Sequence, residues 1–331
     1  MPAPTDDPTV GELSEGTILR RILERIGPSA ALIGPGDDAG VLATPDGRVV
    51  ATVDTLVHGP DFRLAWSTAY DLGWKAAAVN LADIAAMGAR PTALLVALAM
   101  PDGTRLSFVE GIADGLRAAC DALAPGCAVE GGDLTVSDTL TIAVTALGVL
   151  DGQEPVLRSG ARPGDLVAVA GALGSAGRGL RLLFDRFRDA AGNPTTIDGD
   201  SLTPAEAVDL GAQLRPSPPL ALGPLAGVAG ATAMMDVSDG LVLDASRLAA
   251  ASAVSILLDS ASLGDDPATA LSGGEDHALL ATFPAGTALP DGFGLIGSAA
   301  EPGEHAVLVD GQPYGGTGGW DPYRDWDSQI G

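Results

Sequence analysis

Apolar residues recur along this chain with two different periods, and the alternation between them lays out the architecture. "GTILRRILERIG" carries Ile18, Leu19, Ile22, Leu23 and Ile26 at helical spacing and stops at Gly27. A strand is predicted over 48–57 ("RVVATVDTLV"), then a helix from about Ser67 to Gly88. A strand over 92–100 closed by Pro101, a helix over 105–124 and an alternating strand over 139–150 follow. "DGQEPVLRSGARPGD" (151–165), dense in glycine, proline and charge, reads as a boundary. Beyond it the pattern predicts strands at 165–171, 231–237, 254–259, 277–283 and 305–310, with helices over 177–190, 204–214 and 240–252. "AAGNPTTIDGDSLTP" and "LRPSPPLALGP" read as loop or hinge material, and no internal repeat is evident.

Strands outnumber a simple βαβ alternation, so the expected class is α/β of the mixed, α+β kind. At 331 residues, two domains are the natural division: a mobile tail over 1–14, one domain over 15–153 and a second over 154–331.

Hydrophobic residues make up 46% of the chain and charged residues 18%, enough to bury two cores. Aromatics are only 4%, so alanine, leucine and valine do most of the packing, and a tryptophan outside a periodic segment stands out. No stretch reaches the ~18–20 apolar residues of a membrane span. The start, "MPAPTDDPTVGELSEG", has neither a basic region nor an apolar core, so a cytoplasmic protein is expected. Cys120 and Cys127 make no zinc or redox pattern and read as buried thiols.

Charge changes the picture more. The formal net charge is −25, and Lys75 is the single lysine among 18 basic residues. Such a chain repels nucleic acid and anionic membranes, so neither is expected as a partner. Five stretches then place carboxylates beside glycines, strand ends or apolar helix faces. They are "GPGDDAGVL" (Asp37, Asp38), "TVDTL" (Thr52, Asp54), "NLADIAAMG" (Asp83), "EGGDLTVSD" (Asp133) and "MMDVSDGLVLD" (Asp236, Asp239). Taken singly, Asp239 reads as a helix N-cap or a ligand, Asp37 or Asp38 as an Asx-turn residue, and "GGD" as a turn. "VDTL" is harder to dismiss, because a central strand seldom carries Asp. Asp83 falls on the stripe of Ala76, Val79, Asn80 and Met87, which turns it inward.

Clustered buried carboxylates repel one another, and a divalent ion relieves that. All-oxygen donors point to Mg²⁺, Mn²⁺ or Ca²⁺ rather than zinc. Several such ions suggest phosphates. Yet no G-x-x-x-x-G-K-[ST] loop is present, and the glycines of "AGALGSAGRGL" miss the dinucleotide spacing.

"GPGDDAGVL", "VDTLV", "DLGWKAAAVNLADIAAMGARP", "GGDLT", "RSGARPGD", "LRPSP", "DVSDGL" and "SGGEDHALL" occur in an order that resembles the thiamine-monophosphate kinases of the AIR synthase-related superfamily, from about residue 11 to about 323. The resemblance implies a PurM-like fold. In it an N-terminal α/β domain joins a second subunit's in a dimeric β-barrel, and a C-terminal α/β domain packs alongside. It implies transfer of a phosphoryl group from ATP to thiamine monophosphate, in line and without a covalent enzyme intermediate. By the same resemblance Asp38, Thr52, Val53 (through its carbonyl), Asp54, Asp83, Asp133, Asp236 and Asp239 hold Mg²⁺. Gly132, Arg158 and Ser238 contact ATP, while Asp61, Glu275 and Trp320 contact thiamine monophosphate. Asp61 stands where relatives often carry His, and Thr52 where many carry Ser. The acceptor phosphate is already an anion, so no general base is nominated. Gly240 is expected to let a helix begin beside the phosphates.

Sibling activities fit less well. Residues 1–40 lack the cysteine and lysine of selenophosphate synthetase, and "DSQIG" lacks the terminal cysteine of the hydrogenase-maturation dehydratase. AIR synthase itself fits the "GGED" and "NLAD" stretches less well. A non-catalytic cation- or nucleotide-binding module is the alternative outside enzymes.

Overall fold

The computed structural model describes residues 7–29, 31–32, 41–316 and 318–319. The N-terminal half holds α1 (Glu15–Ile26), β1 (Val50–Val57), α2 (Ala69–Ala86), β2 (Arg90–Met100), α3 (Leu106–Leu123), β3 (Ala128–Val136) and β4 (Thr141–Val149). Its four strands form one sheet in the order β1-β4-β2-β3. β1–β4 and β4–β2 pair antiparallel, and β2–β3 pair parallel. Helices α2 and α3 cover one face, which the alternation of β4 shows: Ile142, Val144 and Ala146 are fully buried, whereas Thr141, Ala143 and Thr145 are not.

The two helices pack at backbone contact. A Cβ on Gly73 would lie 2.0 Å from the Ile112 carbonyl oxygen, and one on Gly115 2.1 Å from that of Tyr70. Only glycine permits so close an approach.

The C-terminal half holds β5 (Leu166–Ala170), α4 (Ser175–Arg186), α5 (Pro204–Leu214), α6 (Leu222–Val228), β6 (Ala233–Val237), α7 (Leu241–Ser252), β7 (Ser255–Leu258), α8 (Pro267–Ser272), β8 (Ala278–Phe283), β9 (Phe293–Ala300), β10 (Val307–Val309) and β11 (Gln312–Pro313). Its seven strands run in the order β11-β10-β7-β9-β5-β8-β6. The halves are tied by side-chain hydrogen bonds: Trp66 Nε1 donates to the Phe187 carbonyl at 3.0 Å, and Trp74 Nε1 to that of Pro216 at 2.8 Å.

The mixed α/β class and most elements agree with the sequence pattern. Five elements have no counterpart in the sequence pattern: β3, α6, α8, β9 and β11. β3 contains "EGGD", whose glycines signal a turn, but pairing with β2 overrides that local signal. β1 is an edge strand, so Asp54 does not interrupt a central strand, contrary to the expectation from "VDTL". Of the segment expected to be a mobile tail, residues 7–14 lie against the body. The Asp7 carboxylate accepts from the Ser107 N–H and hydroxyl at 3.0 and 2.6 Å. Residues 1–6 lie outside the described residues. No helix among the described residues is long and apolar enough to cross a membrane.

Candidate active site

Strand alternation turns Thr52 and Asp54 toward the helix-covered face of β1, and α2 receives them. Thr52 Oγ1 donates to Asp83 Oδ2 at 2.8 Å, and the Asp54 N–H donates to Asn80 Oδ1 at 2.9 Å. Asn80 is anchored in turn through Nδ2 to the Ala76 carbonyl at 2.9 Å. Asn80 and Asp83 lie on one helix face by their spacing, so the edge strand is stapled to α2 at the level of its carboxylates.

The C-terminal sheet meets this corner with the end of β6 and the turn before β8. The Glu275 N–H donates to the Ser238 carbonyl at 2.8 Å, and the His277 N–H to that of Val237 at 3.1 Å. Lys75, buried in α2, reaches across to Glu275 Oε2 at 2.6 Å and to the Gln213 carbonyl at 3.2 Å. Asp236 is buried at the end of β6, with His277 Nδ1 3.0 Å from its Oδ2.

These carboxylates feel one another. Burial pushes Asp83 up to about 7, reinforced by the charges of Asp236 and Asp54 and opposed by the Thr52 hydrogen bond. Asp54 is also raised, first by desolvation and then by Asp236, Glu275 and Asp239, with His277 opposing. Asp61 is raised by burial, Glu275 and Asp54, against its bond from the Val57 N–H at 2.7 Å. Burial works to raise Glu275, but Lys75 and His277 outweigh it and hold Glu275 low.

Among the described residues no three acidic, histidine or cysteine side chains form a ready-made metal site. The donor chemistry nevertheless fits a hard divalent ion: Asp54, Asp83 and Asp236 offer oxygens only, and their mutual repulsion is the excess negative charge such an ion would relieve.

Beside the cluster, between the two halves, lies a cavity of about 560 Å³. Asp61, Lys75, Ser238 and Glu275 line its polar side; Phe62, Trp66, Leu183 and Phe184 line its apolar side. Trp66 and Phe184 meet edge to face with centroids 5.1 Å apart. A small organic molecule with one charged end suits such a space.

Carboxylates of the chain itself organise the turns that lead into two helices. Asp244 Oδ2 accepts from the N–H groups of Ser238, Asp239 and Gly240 at 3.1, 3.0 and 3.2 Å. Asp276 likewise accepts from Gly174 and Ala176 at 2.6 and 2.9 Å, closing the glycine loop at α4. The Asp244 carboxylate thus organises the turn that leads into α7, the helix expected to begin beside the phosphates. Asp239 is not the cap, since its Oδ2 pairs with Arg247 Nη1 at 2.5 Å. Asp244 was missed because nothing in "GLVLD" separates a capping Asp from a solvated one.

Three nominated residues, Gly132, Asp133 and Arg158, do not join this corner within one chain. Gly132 and Asp133 are on β3, the opposite edge of the sheet from β1. The register Asp54↔Val144, Val144↔Val96, Val96↔Gly132 puts Asp133 one residue out of line, on the other face. Three strand spacings separate it from β1, about 14 Å. Val53 lies between Thr52 and Asp54 on β1 with its side chain exposed on the uncovered face; the contact expected of it is made by the carbonyl. Arg158 is exposed beside the start of β6, where its carbonyl accepts from Ser252 Oγ at 2.7 Å, whereas Ser238 follows the strand's end. Asp37, Asp38 and Trp320 lie outside the described residues. The sequence marked Lys75 only as a solitary lysine and gave no sign of His277 or Trp66. Their roles depend on contacts between the halves.

Residues 36–150 match the family model described as AIR synthase related protein, N-terminal domain. A thiamine-monophosphate kinase of Mycobacterium tuberculosis is 39% identical over 341 residues, covering 98% of this chain and 96% of the relative. The crystal structure of thiamine-monophosphate kinase from Stenotrophomonas maltophilia K279a superposes with a TM-score of 0.73 at 36% identity, covering 90% of this chain and 96% of that one. A structure described as AaThiL complexed with AMPPCP and TMP gives 0.72 at 31% identity, covering 95% and 99%.

Proposed function

The chain belongs to the thiamine-monophosphate kinase family, and we propose that its acidic corner and the adjoining cavity carry out that family's reaction with divalent cations, most simply Mg²⁺. The enzyme transfers the γ-phosphoryl group of ATP to thiamine monophosphate, giving ADP and thiamine diphosphate. One observation carries the site assignment: Asp54 and Asp83 from the N-terminal half and Asp236 from the C-terminal half share one electrostatic environment beside a cavity of ligand size.

In this reading Asp54, Asp83 and Asp236 hold Mg²⁺, with Thr52 fixing the Asp83 rotamer and Asp239 adding a further carboxylate. A divalent ion bound there would supply the positive charge that two phosphate-bearing reactants need in order to approach. The chain's own part is to hold and orient. Asp61 and Glu275 bind the polar end of thiamine monophosphate, and Lys75 keeps Glu275 ionised. Trp66 and Phe184 wall the cavity against water. Ser238 faces the same space, near where ATP's phosphates must come. Asp38, Val53 and Trp320 keep the roles the family resemblance implies. No side chain is required as a general base, because the attacking phosphate oxygen carries no proton that must leave.

We also assign a homodimer. Val53 and Leu95 are exposed on the uncovered face of the N-terminal sheet, 60% and 39% respectively, among small residues. Closing that face against a second copy supports the eight-stranded barrel expected of the family. Gly132, Asp133 and Arg158 would then act across the seam. Leu95→Asp should turn the dimer into a monomer in sedimentation; an unchanged dimer would refute the assignment. ATP as co-substrate suits a cytoplasmic enzyme.

The activity is tested by coupled measurement of ADP release over a panel of phosphate esters. ADP formation should require thiamine monophosphate; binding of ATP with no turnover on any ester would favour a non-catalytic module.

A further inference from the structure

The acidic corner contains a histidine that phosphoryl transfer does not itself require. His277 is 5% exposed, its Nδ1 lies 3.0 Å from Asp236 Oδ2, and its Nε2 is shut off from solvent with no hydrogen-bond partner. With the Asp236 carboxylate as acceptor, Nδ1 is the donor and Nε2 is left without a partner. A buried polar atom without a partner forfeits its hydration uncompensated, and an apolar side chain would fill the space without that cost.

The backbone beneath it is constrained as well. His277 has φ 53° and Glu275 φ 71°, both left-handed and both outside glycine. Such conformations are strained for residues with a Cβ and persist where the surroundings over-determine them. Here the surroundings are explicit: the Glu275 and His277 N–H groups are bound to the carbonyls of Ser238 and Val237, and the carboxylate of Asp276 between them is bound to the start of α4. The turn therefore holds the imidazole at a fixed place against the end of β6. Strain, burial and an unsatisfied nitrogen converge on one contact, the bond to Asp236.

We infer that His277 is a positioning residue for Asp236, clamping Oδ2 so that Oδ1 is presented to a divalent cation shared with Asp54 and Asp83. Among the described residues no hydrogen bond reaches Asp236 Oδ1. A carboxylate with one oxygen held keeps a single rotamer, so the ion does not have to order it on binding. Partners that orient ligands in this way are worth 10–100-fold in metal affinity. The inference rests on the divalent-cation reading of the cluster given above.

The test is calorimetric titration of Mn²⁺ into the full-length protein with a non-hydrolysable ATP analogue, for the wild type, Asp236→Asn, His277→Phe, His277→Ala and His277→Asn. Wild type binds and Asp236→Asn loses binding if the cluster reading holds. His277→Phe and His277→Ala, each melting cooperatively, should bind Mn²⁺ about 10–100-fold more weakly. His277→Asn should recover most of the affinity, because its Nδ2 can donate to the same oxygen and asparagine tolerates positive φ. Wild-type affinity in the folded Phe or Ala variant, or an Asn variant as weak as they are, overturns the positioning role while leaving the cluster intact. A wild type that binds no Mn²⁺ overturns the cluster reading and this inference with it.

Discussion

Lys75 Nζ lies 2.6 Å from Glu275 Oε2, so the only lysine of the chain joins an N-terminal helix to the turn ahead of a C-terminal strand. The lysine is buried and the glutamate half-exposed in the cavity. The bond holds the two halves together and keeps Glu275 ionised where substrate is proposed to bind.

Lys75→Met removes the cation and leaves Glu275 without its partner. Breaking a fully buried pair costs 3–5 kcal/mol; with Glu275 half-exposed, the expected loss is about 2 kcal/mol. Urea denaturation measures it. KM for thiamine monophosphate should rise more than kcat falls, and an unchanged KM would separate the pair from substrate binding.

Acid should stabilise the metal-free protein. Asp83 is raised to about 7 and Asp244 to about 6, in both cases chiefly by burial, from an ordinary value of 3.8. The native state thus holds these protons more tightly than the unfolded chain does. Their contribution is complete below about pH 4 and is lost as pH rises through about 6 for Asp244 and about 7 for Asp83. The thermal midpoint of chelated protein should fall by several degrees between about pH 5 and about pH 8, and added Mg²⁺ should restore it at the upper end. A flat or rising midpoint in chelator would contradict the crowding of these carboxylates.

Asp244→Ala strips three N–H groups of their acceptor at the turn that carries Asp236 and Asp239. Releasing a buried carboxylate offsets part of the loss, so a net destabilisation of about 2–3 kcal/mol is expected. Asp244→Asn keeps an acceptor and should lose less. Equal stability of the two variants would show that the cap is not what organises the turn.

The parts of this arrangement legible in the sequence are those set by local pattern. Ile18 to Ile26, the α2 stripe and the alternation of β4 each carry their period openly. The carboxylates of Asp54, Asp83 and Asp236 stood out because glycine and apolar neighbours flank them. What stayed hidden depends on partners distant in sequence. β3 is a strand because β2 pairs with it, despite two adjacent glycines. Asp244 is a cap, and Asp239 is not, because Arg247 claims Asp239. His277 and Lys75 take meaning only once β6 and α2 are brought together, which no periodicity announces.

The central claim is that a divalent cation, held by carboxylates from both halves, brings two anionic reactants together. Its most direct test is the rate of ADP release with thiamine monophosphate, titrated with Mg²⁺, in wild type and in Asp83→Asn. Wild type should be silent in chelator and saturate with Mg²⁺. Asp83→Asn should stay folded but lose turnover by roughly 100-fold or need far more Mg²⁺. Full ADP release in chelator, or a wild-type Mg²⁺ response from Asp83→Asn, would contradict it.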